Sequence, residues 1–301
     1  MKNKLCVSTV VSADDFQWFI PLFVTSARLA YSQLRVCIFV KGCLSDKVST
    51  FLQFNPFVYC NQWPNIPNKK STHNSLRHLV DPKYYHDCDY IYPTDVDFII
   101  LPHKISHVDY YAGVMKDTGL SYAAARGPIR GFARQKGILK WDGPHTRVAA
   151  GCSMYKYPDF YNKTKRAREY YLKCFEKDCV DKFDKHLGLK VGSYREFDEV
   201  MLYRMMRMSG LKTPSWKNCF PNQKKMNPRY RDIHLGDFKF PKRYGNMGKM
   251  KRILTDENVK RFIELEKNEQ WMAAVELVRE NCDSVYGLIK KLRSHIEKRV
   301  A

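Results

Sequence analysis

Apolar residues along the chain fall first into short β-branched runs and then, between them, into helical spacings. Residues 4–11 (KLCVSTVV) are a continuous apolar run that predicts a buried strand. Ser12-Ala13-Asp14-Asp15 interrupt it with residues suited to a turn or a helix cap. Residues 16–31 carry apolar positions at helical spacing, and Pro21 falls in the first turn, where a missing N–H costs nothing. A second strand is predicted over 34–40 (LRVCIFV), closed by Lys41-Gly42, and a third over 57–60. A Pro- and Asn-rich loop at 61–70 leads to a short helix at 71–80. Residues 89–100 (DYIYPTDVDFII) read as a strand that delivers two carboxylates at or near its end.

Strands at 121–126 and 148–155 flank a Gly-rich, basic loop at 127–145. A strongly charged helix follows over 158–177, and an amphipathic one over 196–210 has acids in its first turn and a terminal glycine. Residues 214–251 show little periodicity and read as a long functional loop. From 255 to 298 a helical pattern returns as two helices broken near 281–284. Strands alternating with helices predict an α/β fold: a mostly parallel central sheet with helices on both faces and a C-terminal helical extension. Such sheets place ligands beyond the carboxyl ends of their strands, where Asp95 and Asp97 fall. The expected organisation is one domain over 1–250 and an accessory helical extension over 251–301.

Composition changes this picture in three ways. Hydrophobic residues make up 44% of the 301, enough for a sizeable core and outside the disordered range. No run of about 18 uncharged apolar residues is present, and Asp14 and Asp15 break the basic-then-apolar N-terminus. With ten cysteines and no C-x-x-C pair, the chain reads as a cytoplasmic protein with reduced thiols. The net charge of +21 calls for anionic partners: phosphorylated substrates, or an anionic membrane surface met through basic patches. It equally describes a generally basic surface. No RNA-recognition signature, basic zipper or zinc finger accompanies the charge, so a nucleic-acid partner is not expected.

Asp95-Val96-Asp97 is the first chemistry-bearing element. Two carboxylates at i and i+2, leaving an apolar strand, can converge on one hard cation such as Mn²⁺ or Mg²⁺. The same aspartates also suit a turn, and D-x-D alone does not choose between the two. Apolar flanks on both sides favour the cation, since unpaired charge there is costly.

With its flanks, the run resembles the strand and D-x-D element of GT-A glycosyltransferases, a Rossmann-like fold. The resemblance extends over roughly residues 4–245, and implies that 1–250 are a catalytic domain, with a nucleotide-binding half over 1–100 and an acceptor half with a closing loop over 101–250. It implies that Asp95 and Asp97 approach a divalent metal, with Asp95 also near the ribose. Thr9-x5-Asp15-Phe16-x4-Pro21-x4-Ser26 resembles the family's first strand, loop and helix, which hold the base. Phe16 stands where a ring stacks on uracil, usually a tyrosine, with Asp15 at the base edge or ribose. Arg77, in Ser75-Leu76-Arg77, stands where an arginine meets the donor; its bland reading is an exposed helix charge. Ile233-His234-Leu235-Gly236-Asp237-Phe238-Lys239 resembles the H-x-G-x-x-K element of glycogenin-like transferases. That similarity implies His234 in the metal shell, Gly236 allowing close approach to phosphate, and Lys239 neutralising the diphosphate. Ala149-Ala150-Gly151-Cys152 resembles the small-residue strand beneath the donor sugar, and equally reads as a tightly packed strand. Asp198-Glu199 resembles an acidic acceptor-side pair, and also suits the N-terminus of a helix.

The implied activity is transfer of a sugar from a UDP-sugar to a hydroxyl of a glycan or glycoprotein, dependent on Mn²⁺ or Mg²⁺. Asp198 or Glu199 is the candidate base if the reaction inverts; a retaining course needs none. Two other classes compete. One is a Mg²⁺-dependent nucleotidyltransferase, although Gly245-Asn246-Met247-Gly248-Lys249 lacks P-loop spacing. The other is a non-catalytic, basic nucleic-acid-binding protein, which accounts for the charge but not for the Asp pair and the His-Gly-Lys element.

Overall fold

A computed structural model describes residues 4–63, 75–124, 153–177, 198–211, 232–238 and 253–300. Contacts group the chain into two interleaved units: Met1–Val10, Trp63–Thr94 and His107–Met226 in the first, and Val11–Gln62, Asp95–Ser106 and Asn227–Ala301 in the second. The stretch beyond residue 250 therefore belongs with 11–62 and 95–106.

In the first unit the strand order is β1 (Leu5–Ser12, as far as Val10), β4 (Tyr90–Pro93), β7 (Ser153–Lys156) and β6 (Tyr122–Ala124). β1 and β4 are parallel, Leu5 opposite Tyr90 through Ser8 opposite Pro93, whereas β7 runs antiparallel to both β4 and β6. The sheet is thus mixed rather than parallel throughout. Helices α3 (His107–Thr118), α4 (Asp159–Glu176) and α5 (Asp198–Met208) complete the unit, with α4 packed on α5. Its core is aromatic: Tyr155 stacks on Phe160 at 4.1 Å and on Tyr122 at 5.5 Å. Buried Arg168 donates to the carbonyls of Val80 and Tyr161, so its charge enters the interior with acceptors in place.

In the second unit the order is β3 (Val58–Gln62), β2 (Leu34–Lys41) and the end of β1. β2 and β3 are parallel from Val36–Val58 to Val40–Gln62. A 3-10 turn, Asp15–Phe19, leads into α1 (Ile20–Ala30), and the short helix α2 (Asp46–Gln53) is capped by Ser45. The first helix expected over 16–31 therefore starts four residues later, because Asp14 accepts from the Phe16 N–H and holds the tighter turn. Every residue from Ile20 to Ala27 is buried and only the last turn, from Arg28, meets solvent, so most of α1 needs covering all round.

Part of that cover comes from α7 (Glu269–Asn281), which lies between α6 (Asp256–Leu265) and α8 (Asp283–Val300) in the sequence of the C-terminal helices. α7 packs on α1, and α8 contacts both the Asp15–Phe19 turn and a second 3-10 turn, Leu235–Phe238. The sequence predicts two helices here and an accessory extension. There are three, because Asn268 accepts from the N–H groups of Gln270 and Trp271 and starts a new helix. They are part of the second unit's framework, which their amphipathic pattern alone does not reveal. The Glu266 carboxylate joins them, accepting from Trp271 Nε1 at 2.6 Å and from Arg293.

The strand expected over 89–100 is also divided. β4 ends at Pro93, and the chain turns through Asp95–Asp97 before a two-residue strand, β5 (Phe98–Ile99), which pairs in the second unit with β8 (Ile233–His234). The expected loop at 127–145, the Ala149–Cys152 segment and Gly245–Lys249 lie outside the described residues, as do most of the loop at 214–251 and the start of the helix at 71–80. No helix among the described residues is long and apolar enough to cross a membrane. Because Trp271 is fully buried and hydrogen-bonded, Trp271→Ala is expected to destabilise the protein by about 3–5 kcal/mol, read from the denaturant midpoint.

Candidate metal centre

The turn between β4 and β5 carries Asp95 and Asp97, and β8 carries His234; all three lie in the second unit. One ligand atom from each lies within 4.8 Å of the others. The β5–β8 ladder produces this convergence, pairing Phe98 with His234 and Ile99 with Ile233, antiparallel. The Leu235 N–H extends it by donating to the Asp97 carbonyl at 2.8 Å. Two further backbone bonds fix the 95–106 segment: Ile100 N–H to Ser26 Oγ on α1, and Leu101 N–H to the buried Asp232 carboxylate, each at 3.1 Å.

His234 Nε2 lies 3.1 Å from Asp97 Oδ2, and Nδ1 lies 3.4 Å from Asp237 Oδ1. Phe98 stacks on the imidazole face with ring centroids 4.7 Å apart and planes 21° from parallel. Burial by itself lowers the His234 pKa, but the charges and hydrogen bonds of Asp97 and Asp237 outweigh it and raise the value from 6.5 to about 10. In the metal-free chain the imidazolium thus supplies positive charge to a group of carboxylates. Two carboxylates and one imidazole are a donor set for a divalent cation. The three residues keep partial solvent access, as a site meeting a dissolved ion requires.

Gly236 opens the space. A Cβ there would lie 2.6 Å from Asp97 Oδ2 and 3.1 Å from His234 Nε2. Any side chain would drive into the gap between the two prospective ligands, a local reason for glycine beyond approach to phosphate.

The other sequence-predicted residues are distributed as follows. Asp15 and Phe16 sit on the Asp15–Phe19 turn of the same unit, with Phe16 40% exposed. Ser26 and Pro21 are buried in α1, and Ser26 acts on backbone, bonding the Phe23 carbonyl and the Ile100 N–H. Thr9 and Arg77 belong to the first unit and are buried, so Arg77 is not the exposed helix charge of its bland reading. Its Nε lies 3.4 Å from His78 Nε2. Asp198 and Glu199 open α5, also in the first unit. Lys239 lies outside the described residues. Sequence reading passed over Asp237 as a spacer in the H-x-G-x-x-K pattern. Its signal was its place three residues after a histidine on a tight turn. Phe98 was hidden inside an apolar strand.

No family model matches the chain, and no curated protein matches it. Solved structures that match include galactosyltransferase LgtC in complex with donor and acceptor sugar analogs, at 12% identity and TM-score 0.39, covering 66% of this chain and 70% of that one. Core-mannan synthase A from Aspergillus fumigatus in its Mn/GDP form matches at 10% identity and TM-score 0.38, over 68% and 70%. The glycosyltransferase GlyE of Streptococcus pneumoniae TIGR4 matches at 14% identity and TM-score 0.38, over 68% of this chain but 43% of its own. At such TM-scores the superpositions are loose, and the site is read from this chain's own residues.

Two outcomes follow from the geometry. The folded-state pKa of His234 lies above its ordinary value, so its protonation stabilises the metal-free protein fully below about pH 6.5, and this contribution is lost as pH rises through about 10. Melting temperatures of metal-free wild type and His234→Ala should therefore differ most near pH 6 and converge toward pH 10. Gly236→Ala should overpack the gap, at a cost of about 1–3 kcal/mol in denaturant unfolding, and weaken Mn²⁺ binding in titrations monitored by paramagnetic resonance.

Proposed function

We propose that this chain is a metal-dependent glycosyltransferase of the GT-A type, transferring a sugar from a UDP-sugar to a hydroxyl of a glycan or glycoprotein. The observation that carries the proposal is the meeting of Asp95, Asp97 and His234, from two distant segments, within 4.8 Å. These residues resemble the family's D-x-D and H-x-G-x-x-K elements, and they are a donor set that fits Mn²⁺ or Mg²⁺. Bound there, such an ion would neutralise charge on a diphosphate leaving group.

The remaining roles belong to the chain's own groups. Phe16 offers a partly exposed ring to the base, and Asp15 a carboxylate to the base edge or ribose. Thr9 and Arg77 are assigned to the donor side, and Lys239 to the diphosphate. In the transfer, the acceptor oxygen forms a bond to the anomeric carbon as the bond from that carbon to the diphosphate oxygen breaks, its electron pair leaving with the diphosphate. Asp198 or Glu199 takes the acceptor proton if the configuration inverts. The reducing, cytoplasmic setting proposed for the chain rests on its ten cysteines without a C-x-x-C pair. The +21 charge suits a nucleoside diphosphate donor and an anionic membrane surface alike.

Calorimetry with UDP, GDP, CMP and a short oligonucleotide, each with and without Mn²⁺, tests the reading. UDP should bind most tightly, and only with Mn²⁺ present. Asp97→Asn and His234→Ala should each abolish the Mn²⁺ dependence, and the double variant should do little further harm because both act through one ion. Oligonucleotide binding without metal, with no UDP binding, would replace the proposal with a nucleic-acid-binding protein.

A further inference from the structure

The imidazole of His234 is held on three sides, and one of the holding groups has no role in the reading above. Nε2 faces Asp97 and the prospective ligand cluster, while Nδ1 faces Asp237 at 3.4 Å. Phe98 lies against the ring face at 4.7 Å, in direct strand register with His234. The Asp237 side chain is 16% exposed and sits on the same 3-10 turn as Gly236. That turn is anchored at both ends. Leu235 N–H bonds the Asp97 carbonyl, and Phe238 packs edge-on against His295 of α8 with centroids 5.7 Å apart.

We infer that Asp237 is a positioning residue for the metal centre, which selects the His234 tautomer whose free lone pair is on Nε2. The inference rests on the reading that Asp95, Asp97 and His234 hold a divalent cation. A neutral imidazole has one N–H and one lone pair, and the partner of one nitrogen decides the role of the other. When a cation answers the charge of Asp97, the ionised Asp237 carboxylate, which accepts and never donates, keeps the proton on Nδ1 and leaves the lone pair on Nε2. Phe98 sets the plane of the ring, and Asp237 sets which nitrogen is the ligand. An asparagine keeps the shape of this contact but can donate as well as accept, so it leaves both tautomers available. A side chain acting on a ligand in this way is worth about 10–100-fold in metal affinity.

The test compares wild type, Asp237→Asn and Asp97→Asn as full-length, metal-free chains titrated with Mn²⁺ and followed by paramagnetic resonance. Nitrogen chemical shifts of the His234 ring in the Mg²⁺-loaded protein are the second readout. Asp237→Asn should bind Mn²⁺ about 10–100-fold more weakly. Its His234 should show mixed tautomers where wild type shows a proton on Nδ1 alone. A merely structural role would leave the tautomer alone, which overturns the inference. Mn²⁺ affinity lost in Asp97→Asn but kept within about twofold in Asp237→Asn overturns this inference alone, since the expected loss is at least about tenfold. No affinity in wild type overturns it together with the metal reading.

Discussion

Negative charges cannot be gathered at the end of a strand without a positive charge among them, and the architecture of the second unit follows from that constraint. Ligand atoms of Asp95 and Asp97 lie within 4.8 Å, where two unit charges repel by roughly 3 kcal/mol at an effective dielectric of about 20. Asp237 adds a third carboxylate on the far side of His234. In the metal-free chain the imidazolium answers this field, which is why its pKa rises to about 10 despite burial. A divalent ion bound as proposed would answer it more fully, displacing the proton on Nε2. Carboxylates and imidazolium together are thus a compromise in charge.

Holding the compromise in place is the task of a very small β ladder. β5 and β8 have two residues each, too few to be stable alone, and both ends are tied into larger structure. Ile100 and Leu101 are bonded to Ser26 of α1 and to buried Asp232. α1 is buried from Ile20 through Ala27, so the bond to Ser26 ties the ladder to the interior of the unit. α7 covers α1, and α8 reaches the two 3-10 turns that carry Asp15–Phe16 and Gly236–Asp237. Core packing and ligand geometry are thus linked through the same helices.

The first unit poses a different problem. Its described core is dense in tyrosine and arginine, and each buried polar group needs a partner: Tyr155 bonds His78, Ser8 bonds Tyr85, and Arg168 bonds two carbonyls. Arg77 is buried in the same unit, beside His78.

The sequence by itself determined what depends on neighbouring residues. The apolar runs of β1, β2 and β4, the caps at Asp14 and Ser45, Pro21 in the first turn of α1 and the break near Cys282 all follow from preferences acting over a few positions. Asp95, Asp97, His234 and Gly236 could be singled out because their residue types and spacing resemble known elements. Only the tertiary structure decided that 89–100 is two strands in two units, that the C-terminal helices cover α1, and that Asp237 belongs beside the imidazole. The reason is the same in each case. These features depend on which distant segments meet, and the contact between Asp97 and His234 leaves no trace in the local preferences of either.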